Sequence, residues 1–303
     1  MKKLLSYIKN PKNFGFAILY HSYCFLPDML CTRLQYRLFL GRQLNLRHPK
    51  RYTEKLQWLK LYYHDPKMPS LVDKITVKDY VSKLIGEQHI VKTYGIWNSF
   101  EEIDFGSLPR KFVLKTNHMG GGEGIILCKD KTNFDKENAK VVLNRCLGMN
   151  MYNSTREWFY KDLKPRIIAE QLLETSDGSD LQDYKFYCFD GVPKVVLIAS
   201  NRFSSHNFNY VDMDFHPIPI VSVCGKPIDA SLLDRPSTFD KMKSIAATLS
   251  KGFPHVRVDL YNVNNVVYFG ELTFFDSSGF DNLSSDTVDL EWGEWLTLPK
   301  KIK

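Results

Sequence analysis

The 303-residue sequence predicts a mixed α+β fold in which antiparallel hairpins are separated by helices. Strand-like segments occur in adjacent pairs joined by turn signals, most clearly at Asp190–Gly191 and within Asn262–Asn265. Amphipathic helical segments lie between these pairs, and the chain lacks the regular strand–helix–strand alternation that predicts a parallel sheet. Together these features favour antiparallel sheets with helices packed on them.

Residues 1–60 are predicted to be mostly helical and are strongly basic. They carry twelve Lys and Arg residues against the acids Asp28 and Glu54, whereas the whole chain has a net charge of +7. The helical spacing of Leu30, Leu34, Leu38 and Leu40 predicts that these leucines lie near one inward face, with Arg33 and Arg37 outside. The charge would attract a polyanion, such as an acidic glycan or anionic lipid headgroups, unless it is simply a solvated helix face. Nucleic acid is disfavoured, because no helix-turn-helix, zinc finger or RNP-like strand accompanies the charge.

Residues 61–110 continue with the helix "DKITVKDYVSKLIG", which ends at Gly86, and with a short strand in "HIVKTYGIWNSF". The sequence contains no run of eighteen apolar residues that would predict a transmembrane helix. The N-terminus lacks the uninterrupted apolar region and the cleavage site of a signal peptide. The six cysteines show no metal-ligand spacing and are expected to be free, buried thiols in a reducing compartment.

The segment "KFVLKTNHMGGGEGIILCKD" places four glycines, Gly120, Gly121, Gly122 and Gly124, between two apolar strands. Ordering each glycine costs roughly 0.5–1 kcal/mol relative to alanine, so the cluster favours a loop whose backbone N–H groups approach a phosphate. Lys115 on the first strand would add a positive charge there. The alternative is a flexible turn without a ligand. Because the loop joins two strands and does not open a helix, it is not a dinucleotide-binding fingerprint.

The middle of the chain alternates helices and strands. A helix is predicted in "KENAKVVLNRCLGMNMY" and a strand in "RIIAEQLLE", which is either a core strand or an edge that contacts an adenine base. Two strands are predicted in "DYKFYCFDGVPKVVLIASNR", and a helix in "PSTFDKMKSIAATLSKGF". The segment "VDMDFHPIPIV" is expected to be irregular, and residues 276–303 are expected to form a loop.

The last hairpin, "HVRVDLYNVNNVVYFGELTFF", carries polar residues at alternate positions. Arg257 and Asp259 share one face of their strand, and Glu271 and Thr273 share one face of the next. A turn within Asn262–Asn265 would bring the two pairs beside each other. Two neighbouring carboxylates then need a cation between them, and Mg²⁺ prefers such oxygen ligands. The alternatives are an exposed pair of carboxylates or a salt bridge between Arg257 and Asp259.

These parts, in this order, resemble the ATP-grasp superfamily. The fuller match is to its TupA-like subfamily, named for teichuronopeptide biosynthesis. The resemblance is carried by "TEKLQWLK", "DKITVKDYV", "LPRKFVLKTNH", "REWFYKDLKPRIIAEQLLE", "DYKFYCFDG" and "FPHVRVDLYNVNNVVYFGELTFFDSSG". It implies two α+β subdomains that grip ATP, after a basic helical segment over 1–60. The ATP-grasp region would divide into a first part over 61–110, a small subdomain with the glycine loop over 111–175, and a C-terminal subdomain over 176–303.

The resemblance implies that ATP is bound by residues from several segments. Lys74, with Lys78 as the second choice, and Lys115 would contact the phosphates, and the loop Gly120–Gly124 would close over the β- and γ-phosphates. His118 at the base of this loop would contact phosphate, move a proton or stabilise the turn. The adenosine moiety would be contacted by Glu170, Gln171 and Leu173 on the adenine and by Asp183 on the ribose.

The same resemblance implies roles at the last hairpin. Asp259 and Glu271 would bind Mg²⁺, and Arg257 would stabilise the transition state together with Lys115. The wider superfamily has Asn where this chain has Thr273, and a threonine hydroxyl would be a weak third metal ligand.

The resemblance implies an ATP-dependent carboxylate–amine ligase that forms an amide through an acyl phosphate. Its partners would be an acidic small molecule or glycan and an amine donor, in the biosynthesis of a cell-surface polysaccharide or teichuronopeptide-type polymer, with no role for nucleic acid. The protein would be cytoplasmic, with peripheral contact at the inner membrane face or with the polysaccharide assembly machinery. The main alternative is a glycosyltransferase that uses a nucleotide sugar, for which "DMD" at 212–214 would be the metal motif. A kinase or a non-catalytic nucleotide-binding module is a third class.

Overall fold

The computed structural model describes residues 26–179, 181–200, 207–220, 233–281, 283 and 285–302. Its helices are α1 (Asp28–Leu40), α2 (Tyr52–Tyr62), α3 (Met68–Val72), α4 (Val77–Ile85), α5 (Lys136–Leu147), α6 (Met151–Thr155), α7 (Phe239–Ser250) and α8 (Asp286–Trp295). Its strands are β1 (Thr93–Trp97), β2 (Phe112–Thr116), β3 (Ile125–Cys128), β4 (Ile167–Glu170), β5 (Asp183–Phe189), β6 (Val192–Ser200), β7 (Asn207–Val211), β8 (Pro217–Ile218), β9 (His255–Val263) and β10 (Val266–Thr273). The predicted mixed α+β class with antiparallel hairpins is confirmed.

The chain forms two compact units. The first takes its described residues from the segments 1–65, 150–161 and 275–303, and the second from 66–149 and 162–274. The site residues named from the sequence, from Lys74 to Thr273, all belong to the second unit.

In the first unit, α2 and α8 pack closely together. Thr53 donates through its backbone N–H and its hydroxyl to the Asp289 carboxylate at 2.9 and 2.8 Å. The backbones approach so closely that a Cβ on Gly293 would lie 2.0 Å from the carbonyl oxygen of Lys50. Helix α8 starts after Ser285, whose Oγ accepts the N–H of Val288 at 3.2 Å. The prediction of a loop over 276–303 is therefore wrong, because packing against a distant part of the chain stabilises a helix that has only a weak local pattern.

Helix α1 buries the side that contains Gln35 and Tyr36. The Tyr36 hydroxyl lies 2.9 Å from Thr53 Oγ1, and Gln35 Nε2 donates to the carbonyl oxygen of Ser154 at 2.7 Å. Leu30 and Leu34 lie on the other side and are 46% and 40% exposed. Leu38 and Leu40 are half-buried, and Arg33 and Arg37 are exposed, as predicted. The prediction that the four leucines form the inward face is therefore wrong, because polar contacts orient this helix instead.

The second unit contains two antiparallel sheets. The first sheet has the strand order β1-β4-β2-β3. One of its faces packs against α5 through a core whose members include Phe112, Leu114, Ile167, Ala169 and Leu143. Since side chains alternate along a strand, Lys115 on β2 and Glu170 on β4 project from the opposite face.

The second sheet has the strand order β10-β9-β5-β6-β7-β8. Helix α7 covers one face, where Phe186 packs on Phe239 with ring centroids 5.9 Å apart. The two-residue turn of the predicted last hairpin is Asn264–Asn265, with both residues at positive φ, as a type I′ turn requires. The ladder between β9 and β10 shifts by one residue between Phe269 and Glu271, where Gly270 forms a bulge.

The predicted irregular segment at 211–221 is partly ordered as strand. β7 precedes the "DMD" residues and β8 follows them, so they form the turn of a hairpin. Helix α5 ends at Leu147 and a separate helix starts at Met151, whereas a single helix was predicted. Cys31, Cys128, Cys146 and Cys188 are free and buried, as predicted; Cys24 and Cys224 lie outside the described residues. Within the described ranges, no helix is long and apolar enough to cross a membrane.

Candidate active site

One face of the six-stranded sheet carries a row of charged residues across three strands. The register pairs Lys185 on β5 with Asp259 on β9, and Asp259 with Glu271 on β10. The next row pairs Tyr187 with Arg257 and Arg257 with Thr273. Because alternate residues share a face, Asp183 projects on the same side as this row.

Arg257 binds three of its neighbours on this face. Its guanidinium forms a bidentate salt bridge with Asp259, with Nε–Oδ1 and Nη2–Oδ2 distances of 2.7 and 2.8 Å. Nη2 also lies 3.1 Å from Thr273 Oγ1 and 3.4 Å from Glu271 Oε1. The salt bridge named as an alternative from the sequence is therefore present. It does not separate Arg257 from the other two residues, because one guanidinium contacts all three.

Lys185 lies between two buried carboxylates and was not named from the sequence. Its ammonium contacts Asp183 Oδ2 at 2.6 Å and also the Asp259 carboxylate. Burial alone would lower the pKa of Lys185, but Asp183 and Asp259 outweigh it, and the pKa is raised. Lys185 therefore contributes a positive charge to the candidate site. The local signal was its spacing from Asp183, since positions 183 and 185 share a face of a strand.

The donor set at this face fits a hard divalent cation. Asp259 and Glu271 offer carboxylate oxygens from paired positions on β9 and β10, and Thr273 adds a hydroxyl. Mg²⁺ prefers oxygen ligands and is commonly held by one or two carboxylates together with substrate phosphates. Glu271 is the more accessible carboxylate, because Asp259 is 1% exposed. Asp259 and Glu271 are therefore the residues that would hold such a cation.

A second charged group lies on the four-stranded sheet. The Glu170 carboxylate is buried and contacts two ammonium groups, Lys78 at 2.5 Å and Lys115 at 2.7 Å. Burial alone would raise the pKa of Glu170, but Lys115 and Lys78 outweigh it and hold the pKa at about 2. Burial lowers the pKa of Lys78, and Glu170 opposes that effect. Glu170 therefore stays ionised as the counter-charge of two lysines.

Lys74 contacts both the glycine loop and the last hairpin. Its ammonium donates to the carbonyl oxygen of Met119 at 2.6 Å and lies 3.6 Å from Glu271 Oε2. Its backbone N–H donates to the carbonyl oxygen of Asn117 at 3.1 Å. Lys74 is thus positioned between the start of the loop and a candidate metal ligand.

A buried polar network fixes this position, and no local sequence pattern predicts it. Asn117 Nδ2 donates to Asp73 Oδ2 at 3.0 Å, and Asn117 Oδ1 accepts the N–H of Arg166 at 2.8 Å. Arg166 Nη2 donates to the same Asp73 oxygen at 3.1 Å. The network ties the residue before Lys74 to the ends of β2 and β4.

The glycine loop needs glycine at three of its four glycine positions. Gly121, Gly122 and Gly124 have φ values of +65°, +85° and +68°, which residues with a Cβ rarely adopt. Gly121 and Gly122 are exposed, so the loop tip presents bare backbone. His118 is buried, and its Nε2 lies 3.2 and 3.1 Å from the carbonyl oxygens of Cys146 and Met149. These contacts favour a structural role for His118, in which the ring stabilises the base of the loop.

The predicted adenine and ribose contacts occupy different places. Glu170 ends β4, and Gln171, whose N–H donates to the carbonyl oxygen of Lys92 at 2.9 Å, follows it with an exposed side chain. Leu173 is half-buried two residues further on. Asp183 is buried against Lys185. The structure thus brings most of the predicted charged residues into two groups, one on each sheet of the second unit, and Lys74 contacts Glu271 of the last hairpin. Gln171 and Leu173 belong to neither group.

Comparisons with known proteins identify the family of this chain. The model of a family described as TupA-like ATP-grasp matches residues 54–297. No curated protein matches the chain in sequence.

Several solved structures are similar in fold. D-alanine–D-alanine ligase from Helicobacter pylori has 12% identity and a TM-score of 0.46, covering 84% of this chain and 68% of its own. The ATP complex of D-alanine–D-alanine ligase from Bacillus anthracis has 13% identity and a TM-score of 0.38, covering 73% and 55%. The ATP-grasp ligase PsnB with minimal precursor, Mg and ADP has 12% identity and a TM-score of 0.38, covering 80% and 60%. The chain thus spans little more than half the length of the Bacillus anthracis enzyme.

The family model covers most of the chain and includes every site residue named from the sequence. The resemblance inferred from the quoted segments, and the ATP-grasp fold that it implied, are confirmed. The chain belongs to the TupA-like ATP-grasp family.

Proposed function

We propose that this protein is an ATP-dependent ligase that joins a carboxylate to an amine through an acyl phosphate. The observation that carries the proposal is the charged row on the six-stranded sheet, where Asp259 and Glu271 are paired and Arg257 contacts both. Membership of the ATP-grasp family supports the use of ATP at this row. The remaining site residues then have roles that follow from their positions.

The lysines and the glycine loop would bind the phosphates. Lys115 lies on the strand before the loop and Lys74 contacts the start of the loop, and the exposed glycines offer backbone N–H groups to phosphate oxygens. Closure of such a loop would exclude water from the reacting phosphate. Asp259 and Glu271, with Thr273 beside them, would hold Mg²⁺, which neutralises phosphate charge when it is bound.

The reaction would proceed in two balanced steps. A substrate carboxylate oxygen attacks the γ-phosphorus of ATP, the bond to the β-phosphate oxygen breaks, and an acyl phosphate and ADP form. An amine then attacks the acyl carbon, phosphate leaves, and the amine loses a proton as the amide forms. The protein contributes positioning and charge neutralisation more than covalent chemistry. Arg257 is placed to stabilise the negative charge that moves during the first step.

The proposed substrates are an acidic small molecule or glycan and an amine donor, within the biosynthesis of a cell-surface polysaccharide. Support comes from the charge of residues 1–60, which contain twelve basic residues and only two acidic ones. A basic segment raises the local concentration of an anionic substrate.

We also propose a cytoplasmic location with peripheral contact at the inner membrane face. Helix α1 supports this, because Leu30 and Leu34 are exposed on the same side as Arg33 and Arg37. A helix face that combines apolar and basic side chains suits the surface of an anionic bilayer.

The competing function is glycosyl transfer from a nucleotide sugar. Asp212, Asp214 and His216 offer ligand atoms within 4.8 Å of one another, which favours a cation site at the "DMD" turn. However, Asp212 Oδ1 already accepts the N–H groups of Asp214 and His216 at 2.9 and 2.8 Å. These bonds give Asp212 a structural role in closing the turn.

A thermal-shift titration with Mg²⁺-ATP, Mg²⁺-ADP and UDP- or GDP-sugars tests the proposal. A ligand at 100 times its Kd should stabilise the fold by about 2.7 kcal/mol. Adenine nucleotides should stabilise the wild type, and Lys115→Ala and Glu271→Ala should weaken that effect. The matched control is Lys111→Ala, which removes a surface lysine paired with Glu174 at 2.8 Å.

Stabilisation by adenine nucleotides would justify screening carboxylate–amine pairs for release of ADP and phosphate. ADP release without amide formation, when a hydroxyl compound is supplied, would favour a kinase. Stabilisation by a nucleotide sugar alone would overturn the ligase proposal and favour glycosyl transfer.

A further inference from the structure

The arrangement of Lys78, Lys115 and Glu170 distinguishes two lysines that the resemblance considered for phosphate contact, Lys115 directly and Lys78 as a second choice. Both ammonium groups contact the buried carboxylate of Glu170, a residue that is only 4% exposed. Lys115 reaches Glu170 across the β2–β4 ladder, where Val113 and Glu170 are partners and Lys115 lies two positions further along. Lys78 reaches it from the first turn of α4.

The ammonium group of Lys78 is saturated. It donates to the carbonyl oxygen of Val91 at 2.9 Å and to Thr93 Oγ1 at 2.7 Å, in addition to Glu170 Oε1 at 2.5 Å. A lysine ammonium has three N–H donors, so these three acceptors use all of them. A phosphate could bind Lys78 only if one of these contacts broke.

The surroundings of Lys115 are different. Among the described residues, its ammonium has one acceptor, Glu170 Oε2 at 2.7 Å, which uses one of three donors. Its side chain is also more exposed than that of Lys78, at 23% against 16%. Lys115 can therefore keep its ion pair with Glu170 and still donate to a phosphate oxygen.

From this geometry we infer that Lys78 and Glu170 are positioning residues, and that Lys115 is the lysine of this group that contacts the nucleotide phosphates. The inference rests on the proposed ATP-binding function. Lys78 holds the Glu170 carboxylate partly neutralised, so that Glu170 orients Lys115 without competing fully with phosphate for its charge. This reassigns two residues, because the resemblance named Lys78 as a second choice for phosphate contact and Glu170 as an adenine contact.

The inference predicts a specific pattern of rescue. In Lys78→Met, the full charge of Glu170 falls on Lys115, so phosphate must compete with an internal carboxylate and binding weakens. Adding Glu170→Gln to that variant removes the competitor and restores Lys115 as a cation for phosphate. In Lys115→Met the phosphate ligand itself is gone, so adding Glu170→Gln cannot restore binding.

The experiment measures ADP affinity by calorimetry in the presence of Mg²⁺ for the full-length wild type and these four variants. Lys78→Met should weaken ADP binding by about tenfold or more, and Lys78→Met/Glu170→Gln should return to within about threefold of the wild type. Lys115→Met and Lys115→Met/Glu170→Gln should both remain weak. Thermal melts without nucleotide verify that each variant is folded. The Lys78→Met/Glu170→Gln variant buries no unpaired charge at these two positions, so it remains informative if another variant does not fold.

The outcomes separate the inference from the function. If Lys78→Met/Glu170→Gln binds ADP as weakly as Lys78→Met, then Lys78 contacts phosphate directly and the inference is wrong. Unchanged binding in Lys78→Met would also overturn it, since the lysine would then have no influence on Lys115. Failure of the wild type to bind ADP would count against the proposed function itself. A purely structural role for all three residues would produce losses without this selective rescue.

Discussion

The backbone of Gly124 lies directly against the side chain of Thr116. A Cβ on Gly124 would lie 2.6 Å from Thr116 Oγ1 and 3.2 Å from Cys146 Sγ. Thr116 also donates its backbone N–H to the carbonyl oxygen of Gly124 at 3.1 Å, at the point where the loop returns to β3. The end of the loop is therefore packed tightly, whereas its tip at Gly121 and Gly122 is exposed.

This contact predicts that Gly124→Ala destabilises the protein more than Gly121→Ala. Both positions have positive φ, which costs a residue with a Cβ about 1–2 kcal/mol. Only Gly124→Ala adds a steric conflict, since a Cβ on Gly121 meets none of the described atoms within 4 Å. Overpacking typically costs about 1–3 kcal/mol, so urea unfolding should show a loss of about 2–5 kcal/mol at position 124. Equal losses at both positions would show that the conflict relaxes at no cost.

Glu271→Gln should weaken the Mg²⁺-dependent part of nucleotide binding. The substitution keeps the size of the side chain and removes the more accessible carboxylate of the candidate metal site. We expect ADP affinity without metal to change little, and the gain on adding Mg²⁺ to fall by about 10- to 100-fold. Calorimetry with and without Mg²⁺ separates the two. Glu174→Gln is the control, because Glu174 is an exposed acid paired with Lys111. Equal losses with and without metal would count against a metal-binding role.

Lys60 and Glu157, a buried pair in the first unit, predict an unusual dependence of stability on pH. Lys60 donates to the carbonyl oxygens of Thr155 and Ser278 at 3.0 and 2.9 Å, and Glu157 accepts the Ser278 hydroxyl at 2.8 Å. Burial raises the pKa of Glu157 to about 7, with Lys60 opposing. Burial lowers the pKa of Lys60 to about 8, with Glu157 opposing.

The signs of these shifts give opposite slopes. The pKa of Glu157 is higher in the folded protein than its unfolded value of 4.5. Its contribution to the unfolding free energy is therefore complete below pH 4.5 and is lost as the pH rises through about 7. The pKa of Lys60 is lower in the folded protein than its unfolded value of 10.5. Its contribution to the unfolding free energy is therefore complete above pH 10.5 and is lost as the pH falls through about 8. The pair therefore contributes least between pH 7 and 8.

Lys60→Met/Glu157→Gln should remove this minimum. Its unfolding free energy relative to the wild type should rise between pH 5 and 7.5, by up to about 3 kcal/mol, and fall again toward pH 10. Urea unfolding at pH 5, 7.5 and 10 measures the curve. A difference that does not vary with pH would show that both groups titrate normally in the folded protein.

The exposed side of α1 predicts binding to anionic vesicles. Arg33→Gln/Arg37→Gln removes electrostatic attraction and should weaken binding to phosphatidylglycerol-containing vesicles roughly tenfold. Leu30→Gln/Leu34→Gln removes apolar contact and should weaken the same binding at any salt concentration. Val141→Gln is the control, because Val141 is an exposed apolar residue on α5. Sedimentation with vesicles measures the effect.

Arg42 is left unchanged in these variants, because it pairs with Asp286 and Asp289 and is not available to lipid. Equal binding of all variants, or equal binding of the wild type to zwitterionic vesicles, would contradict membrane contact through this face.

The sequence predicted the elements whose signals are local. The turn at Asn264–Asn265, the strands on either side of the glycine loop and the helix over Phe239–Ser250 all follow from turn residues and apolar periodicity. Asp259 and Glu271 were also named correctly as neighbours on the last hairpin. These features depend on residues close together in the chain.

Features that depend on distant contacts were missed. Lys78 and Glu170 are far apart in sequence and meet only because α4 lies beside the end of β4. The spacing of Asp183 and Lys185 along β5 places them on one face, but the contact of Lys185 with Asp259 depends on the register of β5 with β9. Helix α8 is fixed by Thr53 and Asp289, again across most of the chain.

The bulge at Gly270 has a consequence for how the candidate metal site tolerates change. With a two-residue turn at Asn264–Asn265, uninterrupted pairing would set Gly270 opposite Asp259 and Glu271 opposite Val258. Glu271 and Thr273 would then point to the sheet face that lies against α7. One extra residue without a side chain restores the correct parity, so that both face Arg257 and Asp259. Deletion of this single residue would therefore turn every later side chain of the strand to the opposite face, although none of the candidate metal-binding residues had been changed.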